Sequence, residues 1–134
     1  NVTGLDVSIT PTSATSKILV TGQLAGARSD NYPLVAAVLM RDSTAVGVGT
    51  SVGSRVALTS VVEIITGSVA NIATIPISFL DSPATPSSIT YGIQLTGMST
   101  GGTTTVYLNR SATDGNTGDY ARSISSLTLL EVAG

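Results

Sequence analysis

Residues 88–95, SITYGIQL, alternate strictly: Ile89, Tyr91, Ile93 and Leu95 fall on one face, and Thr90, Gly92 and Gln94 on the other. A period of two over this length is the pattern of a half-buried β-strand, because successive side chains leave a pleated backbone on opposite sides. The pattern returns in TIPISFL, where Ile75, Ile77 and Phe79 oppose Pro76, and in KILVTGQL, where Ile18, Val20 and Leu24 align. Proline has no N–H to give to a ladder, so the strand holding Pro76 is expected at a sheet edge, or with that position turned away from a neighbour. PLVAAVLM and RVALTSVVEII are apolar on both faces. Strands of that kind are covered on both sides, and in an antiparallel sandwich the second cover would be another subunit.

Nothing in the chain competes with this reading. No window of a dozen residues places apolar side chains at i, i+3, i+4 and i+7 among good helix formers, and the chain holds one lysine and two glutamates. Its polar residues are largely hydroxyls, with 18 serines and 20 threonines, and threonine's β-branch favours strands. Turn-forming clusters separate the apolar runs at 26–33 (GARSDNYP), 47–54 (GVGTSVGS), 81–88 (DSPATPSS), 99–103 (STGGT) and 114–119 (DGNTGD). The spacing predicts an all-β fold, a single antiparallel β-sandwich or barrel spanning residues 1–134, with about 8–10 strands. They are expected near 5–10, 17–25, 34–42, 44–49, 55–66, 72–80, 88–97, 103–110 and 122–132, with helix content near nil.

Charged residues make up 10% of the chain, and mean hydropathy is +0.40. Charge, rather than hydroxyl content, keeps protein surfaces apart, so part of this surface is expected to be buried in a partner. The interface candidates are Leu34, Ala36, Val38, Val61 and Ile64, within the two segments that are apolar on both faces. Six basic and eight acidic residues lie singly along the chain, and no basic run offers an electrostatic footprint for nucleic acid. The longest apolar run, Leu34 to Met40, is far shorter than the roughly 18–20 residues of a membrane-crossing helix, and no membrane insertion is expected. Cysteine is absent. Without an initiator methionine or a signal-like start, Asn1 reads as the beginning of a fragment or processed product, the C-terminal part of a longer chain.

Residues 49–53, GTSVG, match G-x-S-x-G, the turn that presents a nucleophilic serine in many hydrolases. That chemistry needs a base to take the serine proton and a helix after the turn; the chain has no histidine, and strand-like segments flank the motif. Ser51 is therefore read as a loop residue, and no catalytic residue or cofactor is expected. DGNTGDY supplies Asp114, Asn116 and Asp119, oxygen ligands of the type calcium takes, but without the spacing of an EF-hand loop, so a polar hairpin tip competes with a metal site. Asp42, Glu63, Asp81, Asp114, Asp119 and Glu131 are the carboxylates that a glycosidase would draw on, and no two are tied together by sequence. In TVYLNRS, Tyr107, Asn109 and Arg110 lead along a strand into the 114–119 loop and, with Tyr120, form a candidate surface for sugar or protein recognition. An ordinary surface tyrosine and a paired arginine would read the same way. NVT at Asn1 and NRS at Asn109 are glycosylation sequons that matter only in a secreted protein.

The run VLMRDSTAVGVGTS, the segment SFLDSPATPSSITYGIQL and the ending TVYLNRSATDGNTGDYARSISSLTLLEVAG together resemble the C-terminal domains of tailed-bacteriophage structural proteins, especially marine and cyanophage-type tail fibres or virion-surface proteins. The likeness covers roughly residues 17 to 134 and rests on structural phrases such as FLDSP, TYGIQL, YLNRS and SSLTLLEV. It implies a non-enzymatic virion protein, assembled in the host cytoplasm and exposed extracellularly. It also implies a jelly-roll-like sandwich assembling as a homotrimer. Expected partners are further virion proteins and a host surface glycan or protein. A head-decoration or capsid-fibre domain is the alternative placement, and a carbohydrate-active enzyme a third reading.

Overall fold

The computed structural model describes residues 1–28, 34–64, 70–97 and 105–134. The described residues form nine strands and no helix: β1 (Val7–Ile9), β2 (Lys17–Arg28), β3 (Leu34–Arg41), β4 (Thr44–Val46), β5 (Ser60–Glu63), β6 (Ala73–Asp81), β7 (Ile89–Gly97), β8 (Val106–Leu108) and β9 (Ser126–Val132). Each falls within or beside one of the nine expected segments. The turn expected at 26–33 begins too early, because β2 runs on through Arg28 paired with β8, and the rest of that turn, like the one at 99–103, lies outside the described residues.

All pairings are antiparallel. A five-stranded sheet runs β1-β7-β3, with β4 and β5 both against the far side of β3; a four-stranded sheet runs β6-β2, with β8 and β9 both against the far side of β2. Among the described residues β6 is an edge strand, one of the two placements expected for Pro76, which sits opposite Gln23 with no described ladder neighbour beyond it. The pairs β1–β7, β2–β6 and β3–β4/β5 nest inside one another along the chain, a long antiparallel ribbon whose arms alternate between the sheets. Contacts of β5 with β6, β3 with β2 and β1 with β9 bring the sheets face to face in a β-sandwich-like arrangement.

Alternation decides which side chains meet between the sheets. Ile18, Val20 and Leu24 of β2 and Ile75 and Ile77 of β6 face Val35, Ala37 and Leu39 of β3 and Ile89, Tyr91 and Ile93 of β7, and these residues form one buried cluster. Fully burying each large aliphatic chain contributes about 1.5–3 kcal/mol, so this cluster is the main source of stability. At one end it is closed by polar chemistry. Tyr91, fully buried, donates its hydroxyl to Asp81 Oδ2 at 2.6 Å, and Arg41 Nη1 reaches the same oxygen at 2.8 Å, while Ser82 N–H donates to Oδ1 at 2.9 Å. Arg41 and Tyr91 are cross-strand partners in one sheet, and Asp81 ends β6 of the other, so the carboxylate ties the sheets together. Burial, followed by the adjacent Asp81, pushes the Tyr91 phenol well above its ordinary value of 10.0.

The N-terminal residues strap the outside of β7. Val2 N–H donates to the Ile93 carbonyl at 2.7 Å, and Asn1 donates to Asp6 at 3.0 Å directly over Gly92, where a Cβ would collide with the Asp6 carboxylate. The glycine of TYGIQL is therefore required by close approach of another segment rather than by a turn.

Candidate functional site: two excursions from interrupted strands

The central strand of each sheet has one complete neighbour and one broken neighbour. Along β3, β5 pairs Leu34–Ala37 and β4 pairs Leu39–Arg41; residues 47–59 leave the sheet in between. Along β2, β9 pairs Lys17–Gln23 and β8 pairs Gly26–Arg28, and residues 109–125 leave in the same way. A gap in a ladder strands buried backbone groups, which cost about 1–3 kcal/mol each if unpaired. A hydroxyl closes each gap. Thr59 Oγ1 accepts from the Leu39 amide at 2.8 Å and donates to the Val46 carbonyl at 3.4 Å. Ser125 Oγ accepts from the Ala25 amide at 3.0 Å and donates to Asn109 Oδ1 at 2.6 Å, while the Asn109 amide donates to the Ala25 carbonyl at 2.8 Å.

The two motifs with possible chemistry lie in these excursions. Ser51, of GTSVG, donates its hydroxyl to the Arg55 carbonyl at 2.9 Å, and the loop turns through Gly53 at φ 62°. Gly47 opens the excursion at φ 60°, pressed against the Phe79 ring, where a Cβ would lie 2.7 Å from the ring.

The 109–125 excursion is more elaborate. Asn109, at φ 62°, turns the chain out of β8, its side chain engaged by Ser125. Of the expected recognition residues, Asn109 is thus a joint in the scaffold. Tyr107 and Arg110 are brought together: the guanidinium carbon stands 4.2 Å from the ring centroid, and Nη1 donates to the Ser111 and Ala112 carbonyls at 3.1 Å each. Fully buried Ser111 ties the base of the loop, its amide donating to the Ala121 carbonyl at 3.1 Å and its hydroxyl to the Thr113 carbonyl at 2.9 Å. The Tyr120 ring lies against Gly115, where a Cβ would approach it to 2.8 Å. Asp114 receives Arg122 in a two-pronged pair, Nε to Oδ1 at 3.1 Å and Nη2 to Oδ2 at 2.6 Å. That carboxylate is already engaged by a cation, and the described residues contain no group of three or more acidic side chains placed to hold a metal. Asn116 and Asp119 are exposed at the loop tip.

The other carboxylates are dispersed. Asp81 is in the buried network, Asp42 accepts the Thr90 amide at 3.0 Å, and Glu63 faces outward on β5. Glu131 accepts both the amide and the hydroxyl of Thr12, at 2.7 and 2.6 Å. The nearby Ser16 hydroxyl, though it closes no hydrogen bond of full geometry, and these Thr12 donors hold the Glu131 carboxyl below the usual carboxylate range.

The interface candidates divide. Leu34, Ala36, Val38 and Val61 do share one outward face, but Ala36 is fully buried and Leu34 and Val38 are half-buried, leaving Val61, 49% exposed, as the open position. Ile64 instead belongs to the core cluster, because the residue after outward-facing Glu63 must point inward. Sequence reasoning missed Thr59, Ser111, Arg122 and Ser125. Thr59 and Ser125 gain their roles only through long-range pairing, while Ser111 and Arg122 act within the loop that they close, through partners that periodicity does not reveal. No known family model matches the chain, and no curated protein matches it at a significant level.

Proposed function

We propose that this chain is a non-enzymatic structural domain of a virion surface, a homotrimeric tail-fibre tip or receptor-binding domain of a bacteriophage that contacts a host-cell glycan or protein. The resemblance of its FLDSP, TYGIQL, YLNRS and SSLTLLEV segments to phage virion proteins motivates the reading. The nested strand pairs support a jelly-roll-like course of the ribbon. The observation that carries recognition is the Tyr107–Arg110 stack at the root of a loop fixed by its own hydrogen bonds. The half-exposed pair, a ring with a guanidinium stacked over it, offers apolar surface and hydrogen-bond donors side by side to a sugar or a planar side chain, and a loop tied by its own hydrogen bonds loses little entropy on binding. Recognition on loops of a rigid scaffold is the usual division of labour.

Adsorption of the isolated chain to intact bacteria, or its binding on a glycan array, tests this. Saturable binding that falls at least ~10-fold in Tyr107→Ala, the loss of about 1.4 kcal/mol, supports the reading. Binding to purified capsids alone would move the domain to the head, as a decoration or capsid-fibre module. Release of reducing sugar that disappears in Asp119→Asn would make it a carbohydrate-active enzyme and overturn the proposal.

A further inference from the structure

Given the homo-oligomeric assembly proposed for this chain, we propose that its copies bury the outer face of the four-stranded sheet, not that of the five-stranded sheet, against one another. Leu19 of β2 lies directly opposite Leu80 of β6 on one side and Leu130 of β9 on the other, so three leucines make a straight row across the sheet. All three point away from the core, and Leu80 and Leu130 are 46% and 60% exposed. The next outward rung, Thr21 with Ser78 and Thr128, carries only hydroxyls.

Three properties make a second copy the occupant. Of the thirteen outward-facing residues on the paired lengths of β2, β6 and β9, Lys17 alone is charged, so an acidic or basic partner finds almost nothing to recognise, whereas the face meets its own kind without like-charge repulsion. Ten of those thirteen are exposed and span three adjacent strands, a continuous uncovered face of the kind that stable interfaces of ~800 Å² per partner require. In a threefold ring each copy meets its two neighbours through non-identical parts of one face, and a face of leucines and hydroxyls presents apolar and hydrogen-bonding groups to both. Farther along the same face the surface is already occupied. Ala25 and Ala27 are buried where the 109–125 excursion and Tyr107 adjoin β2. The bare leucine end and the Tyr107–Arg110 platform thus lie at opposite ends of one strand, which leaves the platform open when the leucine end is covered.

Sedimentation velocity of the intact chain and two variants tests the assignment. Leu80→Lys/Leu130→Lys changes two exposed positions and is expected to keep the β-sheet circular dichroism of the parent while weakening association at least ~100-fold. Val61→Lys, on the other sheet, is expected to leave association unchanged. A milder pair, Leu80→Thr/Leu130→Thr, gives the same ordering if the lysines unfold the chain. If the folded double variant assembles like the parent and Val61→Lys does not, copies meet through the five-stranded sheet: this assignment falls and the oligomeric reading survives. If the unmodified chain is a monomer, both fall, and the leucine row belongs to a different partner.

Discussion

Removing one hydroxyl from the core end tests whether the two sheets are tied by the Asp81 network. Tyr91→Phe keeps the ring and its packing among Ile89, Ile93 and their neighbours but deletes the donor at 2.6 Å from Asp81 Oδ2. The carboxylate keeps Arg41 at 2.8 Å and the Ser82 amide at 2.9 Å, so it is not stranded; the loss is one hydrogen bond to a charged acceptor. Such bonds contribute about 1.5–3 kcal/mol. With an unfolding entropy of ~2.1 cal/mol/K per residue, a chain of 134 residues should lose about 5–10 °C in Tm at neutral pH. The same substitution has a signature at high pH. Because the folded phenol holds its proton above the unfolded value of 10.0, the native state binds more protons than the unfolded state from there upward. The Tyr91 contribution is therefore complete below about pH 10 and is lost as the pH rises beyond it. The chain's other three tyrosines and its one lysine are common to parent and variant, so they cancel in the difference between the two curves. Urea denaturation from pH 7 to 11 should show the parent losing stability above pH 10 and Tyr91→Phe declining less, so that the two curves converge. A parent and variant within ~0.5 kcal/mol of each other at pH 7, or curves that diverge above pH 10, would refute the network.

Two further substitutions probe the interrupted strands. Thr59→Ala leaves the buried Leu39 amide without its acceptor and Ser125→Ala does the same to Ala25, so each should cost about 1–3 kcal/mol in urea denaturation, and Thr59→Ser should restore most of the loss. Gly47→Ala combines φ 60° with a clash against the Phe79 ring and should cost at least ~1 kcal/mol, whereas Gly53→Ala, equally left-handed but in open space, should cost less in the same assay.

Much of this architecture is legible in the chain, and what is hidden has identifiable causes. SITYGIQL gives not only β7 but its phase, with Tyr91 and Ile93 inside; Pro76 places β6 at an edge. The segment 55–66 misleads, because Val56 continues the apolar pattern into the 47–59 excursion and stands 59% exposed, while pairing begins only at Ser60. Periodicity detects faces but not where a partner strand breaks, since the break is decided by hydroxyls such as Thr59 and Ser125 reaching across the ladder. Asp81 reads as a turn residue from its Asp-Ser-Pro context; its burial depends on Arg41 and Tyr91, 40 and 10 residues away. The leucine row is hidden for a related reason: Leu80 follows Phe79 and Leu130 follows Leu129, so each looks like part of a core run until register assigns them to the outer face.

The central claim is that this weakly charged sandwich hides part of its outer surface in copies of itself. Light scattering coupled to size exclusion, at tens of micromolar, measures it directly. The account predicts a particle of three chains of 13.4 kDa each that persists in high salt, because its contacts are apolar and hydroxylic rather than ionic. A uniform 13.4 kDa species throughout that range would contradict it.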